Sequence, residues 1–252
     1  MTYRLVRLPS GRGVGMTGLG DPAGERLGVL LHPTPGASGF DPAPDVTARS
    51  GIHLLTFERP GYGATDPSEP GVVGWVDDLA GYLRDAEAGA RSATQTSYGH
   101  VGVVGWREGG IYAAALAARH PELVDRLVLV GAPSPARAGS APRPLAQNPV
   151  MAGSVGEPPG FADRMRRMLE TASVQGDAGV IADRRAFQDP DAPRPRTTAD
   201  TLILYGAADD YATGADARWY ASEMPHARVE RVDGGADIIG RHWQRVVDFL
   251  TR

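Results

Sequence analysis

Apolar residues along the chain form short continuous runs, and several of these runs are followed by stretches with helical spacing. Runs of this kind, typical of strands buried on both faces, occupy Leu27–Leu31, Ile52–Phe57, Leu123–Val130 and Thr201–Tyr205. Apolar positions recur at three- and four-residue intervals within Val72–Glu87, which predicts a helix. Alternation of buried strands with helices predicts an α/β protein with a mostly parallel central sheet and helices on both faces.

The two ends of the chain add elements to this sheet. Tyr3–Leu8 and Gly13–Gly18 are joined by a Pro-Ser-Gly-Arg turn, which predicts an antiparallel opening pair. Arg228–Val232 is predicted as the last strand, and Ile238–Leu250 as the closing helix. From residue 135 to about residue 198 the composition shifts to Pro, Gly, Ala and Arg, and only Phe161–Ala172 has clear helical spacing.

The segment from His100 to Arg119 has a sharp boundary at its centre. An apolar run ends at Gly105, and an alanine-rich helical run begins just after Glu108. Gly105 and Gly109 stand two residues before and after Arg107, so a strand and a helix can pass closely around a tight corner. The central side chain, that of Arg107, is then raised into a cleft beyond the carboxyl ends of the strands.

Four motifs in the correct order resemble those of the α/β-hydrolase superfamily. The segment Gly105–Gly109 resembles the Gly-x-Ser-x-Gly nucleophile elbow, with Arg107 in place of serine. The stretch His32-Pro-Thr-Pro-Gly36 resembles the family's His-Gly-x-Pro-Gly loop, and Glu58-Arg-Pro-Gly-Tyr-Gly63 resembles its Asp-Arg-Pro-Gly-Tyr-Gly turn. The turn Gly206-Ala-Ala-Asp209 resembles Gly-x-x-Asp. The resemblance implies an α/β-hydrolase fold, with a core of residues 1–134 and 199–252 and a small lid of residues 135–198.

The resemblance also assigns triad positions, and two of the three carry unexpected residues. The family order is Ser, Asp, His along the chain, and the matching positions hold Arg107, Asp209 and Asp237. A serine nucleophile needs a neighbouring base, whereas arginine is permanently protonated and can be neither base nor nucleophile near neutral pH. The ordinary acyl-enzyme route is therefore excluded. We expect the Arg107 guanidinium to contact Asp237 or Asp209, because the two replacements carry opposite charges.

Three functional hypotheses follow from this arrangement. The first is a non-hydrolytic enzyme of bacterial specialised metabolism that carries out a cyclisation, elimination, isomerisation or other proton transfer on a small carbonyl or anionic metabolite. The second is an inactive pseudo-hydrolase that binds a small ligand in the lidded pocket as a sensor or carrier. The third is a hydrolase that uses Glu108 as nucleophile or a water activated by a carboxylate.

Five further residues are predicted to line the ligand site. The resemblance implies that the backbone N–H groups of Thr34 and Glu108 form the oxyanion hole, the pair of donors that stabilises a developing negative charge. His32 belongs to the same loop, and bracing that loop is a simpler role for it than reacting. Trp106 and Ser134 are predicted to line the cleft.

Composition narrows the range of partners. The net charge is −4 with both signs interspersed, so nothing favours nucleic acid or an anionic membrane as a partner. The chain has no cysteine, no apolar stretch of membrane-spanning length and no signal-peptide pattern, which predicts a cytoplasmic protein. No metal site and no cofactor are predicted. A small-molecule ligand is the expected partner, and a homodimer is left open.

Overall fold

The computed structural model describes residues 2–94, 99–140, 156–189 and 194–252. Within them, eight strands form one sheet in the order β1-β2-β4-β3-β5-β6-β7-β8. Strand β2 is antiparallel to both of its neighbours, β1 and β4. The other six strands, β3 to β8, are parallel to one another. The strands are β1 Thr2–Arg7, β2 Gly13–Gly20, β3 Arg26–Leu31, β4 Ile52–Phe57, β5 Val101–Trp106, β6 Val124–Val130, β7 Asp200–Gly206 and β8 Ala227–Val232.

Helices cover both faces of the sheet, as the sequence predicts. They are α1 Pro44–Arg49, α2 Gly71–Thr94, α3 Gly109–Arg119, α4 Pro135–Ser140, α5 Phe161–Ala172, α6 Ala178–Phe187, α7 Gly214–Glu223, α8 Ile238–Arg241 and α9 Trp243–Leu250. Apolar side chains of α2, α3 and α7 form one core with one face of the sheet. Those of α8, α9 and α5 form a second core on the other face. The expected α/β-hydrolase architecture is confirmed.

The structure differs from the sequence expectation in three helices. Helix α4 was not predicted, and helix α6 was missed because its buried positions include Gly179 and Asp183 rather than a stripe of large apolar residues. The single closing helix expected over Ile238–Leu250 is interrupted at His242, which separates α8 from α9. Residues 135–198 thus supply three described helices, of which α4 and α6 join one core and α5 joins the other. Their separate identity as a lid stays a prediction.

The turn between β5 and α3 depends on close backbone packing. A Cβ added at Gly105 would overlap the Gly110 Cα and lie 2.7 Å from the Cβ of Ala113. A Cβ at Gly109 would lie 2.6 Å from the His32 carbonyl oxygen, and one at Gly110 would lie 2.5 Å from the Ala132 Cβ. Only glycine at these positions lets α3 begin directly against the ends of β3 and β6, and this fixes where the corner residue stands.

Replacing Gly105 with alanine is therefore expected to lower the free energy of unfolding by about 3 kcal/mol, because the new methyl group meets backbone atoms that cannot move aside. Denaturant titration followed by circular dichroism measures the change. Gly18→Ala is the matched control, since the nearest atoms to its added Cβ are 3.5 and 4.0 Å away. The control should change stability by less than about 1 kcal/mol, and equal losses in the two variants would contradict the packing argument.

Candidate active site

Arg107 occupies the corner between β5 and α3 in a left-handed backbone conformation. Its φ is +51°, and it is the only residue other than glycine with positive φ among those the structure describes. The Arg107 N–H donates to the Val130 carbonyl at 2.9 Å, and the Arg107 carbonyl accepts from the Gly110 N–H at 2.8 Å. This conformation costs an arginine about 1 kcal/mol or more, so the surrounding packing holds Arg107 in a strained corner.

The guanidinium of Arg107 is buried and makes an ion pair with Asp209. Its Nη1 lies 3.3 Å from Asp209 Oδ2, and both side chains are almost fully removed from solvent. Asp209 Oδ1 accepts the backbone N–H groups of Tyr211 and Ala212, at 2.9 and 3.1 Å. The Arg107 Cζ lies 4.8 Å from the centre of the Tyr211 ring. The expected contact with one of the two carboxylates is thus present, and Asp209 makes it.

Asp237 does not pair with Arg107. Its carboxylate is bound by Arg241, one turn further along the chain, and its Oδ1 accepts the Gly235 N–H at 2.9 Å. The idea that the replacements at positions 107 and 237 compensate each other is therefore wrong. The physical reason is local: Arg241 lies four residues after Asp237 and reaches it across one turn of α8. The negative charge at position 237 is neutralised within its own helix.

Two nitrogen atoms of Arg107 remain without a partner. Its Nε and Nη2 are buried and make no hydrogen bond with any residue that the structure describes. Leaving such donors unpaired in the interior costs about 1–3 kcal/mol for each group. The ion pair with Asp209 therefore leaves the two donors on one edge of the Arg107 guanidinium without a hydrogen bond to a described residue.

The Glu108 side chain accepts a hydrogen bond from one of the two expected oxyanion-hole donors, the Thr34 N–H. The Thr34 N–H donates to Glu108 Oε2 at 3.0 Å, and both residues are buried. Glu108 Oε1 is buried without a hydrogen bond of standard geometry, and so is the hydroxyl oxygen of Tyr211. Burial, followed by the nearby Glu108 carboxylate, raises the pKa of the Tyr211 phenol. Tyr211 therefore stays protonated near neutral pH, and it lies near both the Arg107 guanidinium and the Glu108 carboxylate.

His32 braces the loop that carries Thr34. Its Nδ1 lies 2.7 Å from the Pro33 carbonyl oxygen, and its Nε2 lies 3.1 Å from the Arg59 backbone nitrogen. This network assigns the neutral tautomer that donates from Nδ1 and accepts at Nε2. Burial, and then the positive charge of Arg59, hold the pKa of His32 well below its ordinary value. Both ring nitrogens are in use, so the structure gives His32 a positioning role in place of the predicted ligand contact.

The two remaining lining residues also make internal contacts. Trp106 is buried and stacks on Phe40 with ring centres 5.2 Å apart, and its indole nitrogen has no hydrogen-bond partner among the described residues. The Ser134 hydroxyl donates to Asp216 Oδ1 at 2.8 Å, near the start of α7. Neither side chain contacts Arg107 through a hydrogen bond, so their predicted ligand contacts remain untested.

A buried carboxylate below the loop was missed by sequence reasoning. Asp183, on α6, accepts hydrogen bonds from Arg59 Nε at 2.9 Å and from Arg59 Nη2 at 2.6 Å. The hydroxyl groups of Thr34, Tyr62 and Tyr112 also donate to it, at 2.5, 2.8 and 2.8 Å. Burial raises the pKa of Asp183, but the charge and hydrogen bonds of Arg59 outweigh it, and the net shift is downward. No motif marks position 183, so only the folded structure reveals this centre.

Two further observations concern membrane spans and metal sites among the described residues. None of their helices is long and apolar enough to cross a membrane. Nowhere do three or more histidine or carboxylate side chains among them cluster in a way that could hold a metal ion.

Comparison with known proteins identifies sequences and structures that are similar to this chain. A sequence profile described as alpha/beta hydrolase fold matches residues 29–154, which is half of the chain. A curated relative, the pimeloyl-[acyl-carrier protein] methyl ester esterase of Aromatoleum aromaticum, is 28% identical over 242 residues. That alignment covers 81% of this chain and 88% of the relative.

Solved structures show the same fold. An esterase from Exiguobacterium antarcticum superimposes with a TM-score of 0.75 at 17% identity, over 99% of this chain and 98% of its own. The enol-lactonase from Burkholderia xenovorans LB400 superimposes with a TM-score of 0.72 at 18% identity, over 100% of both chains.

The Asp183 centre yields a stability prediction. Asp183→Asn leaves the buried Arg59 without its counter-charge and should lower the free energy of unfolding by about 3–5 kcal/mol near neutral pH. Because the folded-state pKa of Asp183 is lowered, its contribution is present above the unfolded value of about 3.9 and is lost as the pH falls through the folded value. The difference between wild type and variant should therefore shrink below about pH 4.

Asp77→Asn is the control for this experiment. Asp77 pairs with Arg119 at 2.6 Å, but more than a third of each side chain is exposed. Water screens that pair, so the variant should lose less than about 1 kcal/mol. Denaturant unfolding of the three proteins from acid to neutral pH makes the comparison, and a loss no larger for Asp183→Asn than for Asp77→Asn would refute a stabilising Asp183 centre.

Proposed function

The chain belongs to the α/β-hydrolase fold family, and from that premise we propose that it acts on a small carbonyl or anionic metabolite by proton transfer, without an acyl-enzyme intermediate. In this proposal Arg107 holds the anionic oxygen of the ligand and Glu108 moves the proton. Cyclisation, elimination and isomerisation all include such a step. The proposal keeps the family cleft and replaces its nucleophile chemistry.

The vacant edge of Arg107 is the observation that carries this proposal. Asp209 fixes the guanidinium through Nη1 and leaves Nε and Nη2 buried and unpaired. A preorganised cation in a dry site stabilises a developing oxyanion or enolate more strongly than the same cation does in water. An arginine with only a structural role would be expected to use its whole donor set.

Glu108 is the carboxylate best placed to move a proton. Asp209 is committed to Arg107 and to two backbone N–H groups, and Asp237 is committed to Arg241. Glu108 Oε1 has no hydrogen bond of standard geometry, and its neighbour is the protonated phenol of Tyr211. General acid–base catalysis needs a group with free capacity within reach of the ligand, and among these three carboxylates Glu108 has the most.

A second candidate is a pseudo-hydrolase that only binds its ligand. The contact between the Thr34 N–H and Glu108 Oε2 favours it, because the donor expected to stabilise an oxyanion is already occupied by the chain itself. The same contact weighs against an esterase that uses Glu108 as nucleophile. In such an enzyme the nucleophile and the substrate carbonyl oxygen would compete for one N–H group.

Hydrogen exchange separates the enzyme from the binding protein. We expect the wild-type protein in D2O to exchange a carbon-bound proton next to the carbonyl of at least one compound in a panel of small keto acids and ketones, followed by NMR. Arg107→Ala and Glu108→Gln should each slow that exchange by about 100-fold or more. Arg119→Ala, at an exposed ion pair, should leave it unchanged. Arg107-dependent binding without exchange would establish the pseudo-hydrolase instead.

Labelling with a fluorophosphonate tests the absence of an acyl-enzyme route. We expect no stoichiometric labelling, because the elbow has no hydroxyl and His32 uses both ring nitrogens in the loop. Intact-mass spectrometry detects one added phosphonyl group per chain, and a known serine hydrolase serves as the positive control. Stoichiometric labelling at any serine would overturn the proposal.

A further inference from the structure

The vacant edge of Arg107 has the geometry that binds carboxylates elsewhere in this protein. Its unpaired atoms are Nε and Nη2, whose N–H bonds point to the same side of the planar group. Arg59 uses the same two nitrogens to hold both oxygens of Asp183, at 2.9 and 2.6 Å. Arg119 holds Asp77 in the same way, at 2.7 and 2.6 Å. The two donors of the free edge of Arg107 therefore match a planar group with two oxygens.

A vacant acceptor lies close to this vacant donor edge. Glu108 Oε1 is buried without a hydrogen bond of standard geometry, its neighbour is the Tyr211 hydroxyl, and Glu108 directly follows Arg107 in the chain. The Tyr211 ring lies 4.8 Å from the Arg107 guanidinium, and the Glu108 carboxylate is near enough to raise the pKa of the same phenol. A ligand that contacts both groups must offer acceptors to Arg107 and a donor to Glu108.

The charges of the site decide what that donor is. One cation, Arg107, faces two anions, Asp209 and Glu108, and all three are buried. A simple carboxylate would bring a third anion next to Glu108, where like charges repel strongly in the interior. A ligand that also carries an ammonium group removes this repulsion, because its cation pairs with Glu108.

We propose that the elbow site recognises a zwitterion, an α-amino carboxylate whose carboxylate binds Arg107 through Nε and Nη2 and whose ammonium group binds Glu108 Oε1. This inference rests on the proposed use of the elbow as the ligand site and names the class of ligand. Asp209 orients the guanidinium from its other side, so the carboxylate of the ligand and that of Asp209 occupy different edges of one planar cation.

Matched analogues test the charge requirement on the wild-type protein. The common amino acids are first screened for an increase in melting temperature, and the best of them is measured by isothermal titration calorimetry. Its deamino analogue keeps the carboxylate, and its carboxamide keeps the ammonium group. Each analogue should bind at least about tenfold more weakly, because each leaves one buried charge of the site unpaired.

Charge-altering variants test the two contacts separately. Arg107→Lys keeps the charge but cannot bind a carboxylate through two nitrogens, so amino acid affinity should fall by about tenfold or more. Glu108→Gln should weaken the amino acid and strengthen the deamino analogue, since the repelling charge is gone. Arg119→Ala is the matched arginine control and should bind as wild type does. Circular dichroism and melting curves establish that each variant is folded.

The outcomes are distinct from those of the exchange experiment. Equal binding of the amino acid and its deamino analogue, equal binding of its carboxamide, or no amino acid binding at all would each overturn the zwitterion proposal. If a variant fails to fold, the analogue comparison on wild type still decides. Amino acid binding without exchange of the Cα proton of the bound amino acid, and without exchange of any compound in the panel, would support the ligand class and reject the proton-transfer function. Exchange of a keto acid without amino acid binding would do the reverse.

Discussion

The buried ion pair between Asp183 and Arg59 is the contact on which the arrangement of the site depends. It joins α6 to the turn after β4, and the Tyr112 hydroxyl adds α3 to the same carboxylate. The Thr34 hydroxyl adds the loop after β3. Four separate segments of the chain thus meet at one charge in the dry interior. A buried carboxylate needs this many partners, because each unmatched hydrogen bond would leave part of its charge uncompensated.

Thr34 connects the Asp183 carboxylate to the elbow through two hydrogen bonds. Its hydroxyl donates to Asp183, and its backbone N–H donates to Glu108, so one small residue lies between two buried carboxylates. His32 holds the same loop from the other side through Pro33 and Arg59. The position of the Glu108 side chain is therefore set by contacts that begin on α6, in a part of the chain with little sequence pattern. The elbow and the segment that carries α6 are thus joined by one polar network.

The sequence predicted the strands and the elbow well, because both depend on local signals. Apolar runs mark buried strands, and Gly105, Gly109 and Gly110 mark a corner where backbones touch. Position in the family motifs also brought Arg107 and Asp209 together correctly. The partner of Asp237 was not predicted, since motif matching ignored the helical spacing that gives it to Arg241. The Asp183 centre was not predicted, because a single carboxylate whose partners lie far away in the sequence produces no periodic sequence pattern.

The anchoring of α6 has a consequence for the kinetics of ligand exchange. Lifting this helix away from the sheet means breaking five hydrogen bonds to Asp183, two of them to a guanidinium, before water can replace them. Motions that cross such barriers are slow compared with the fluctuations of surface loops. Entry to the proposed ligand site and release from it at ordinary rates therefore require a route that leaves α6 in place, so that residence time would be governed by other parts of the molecule.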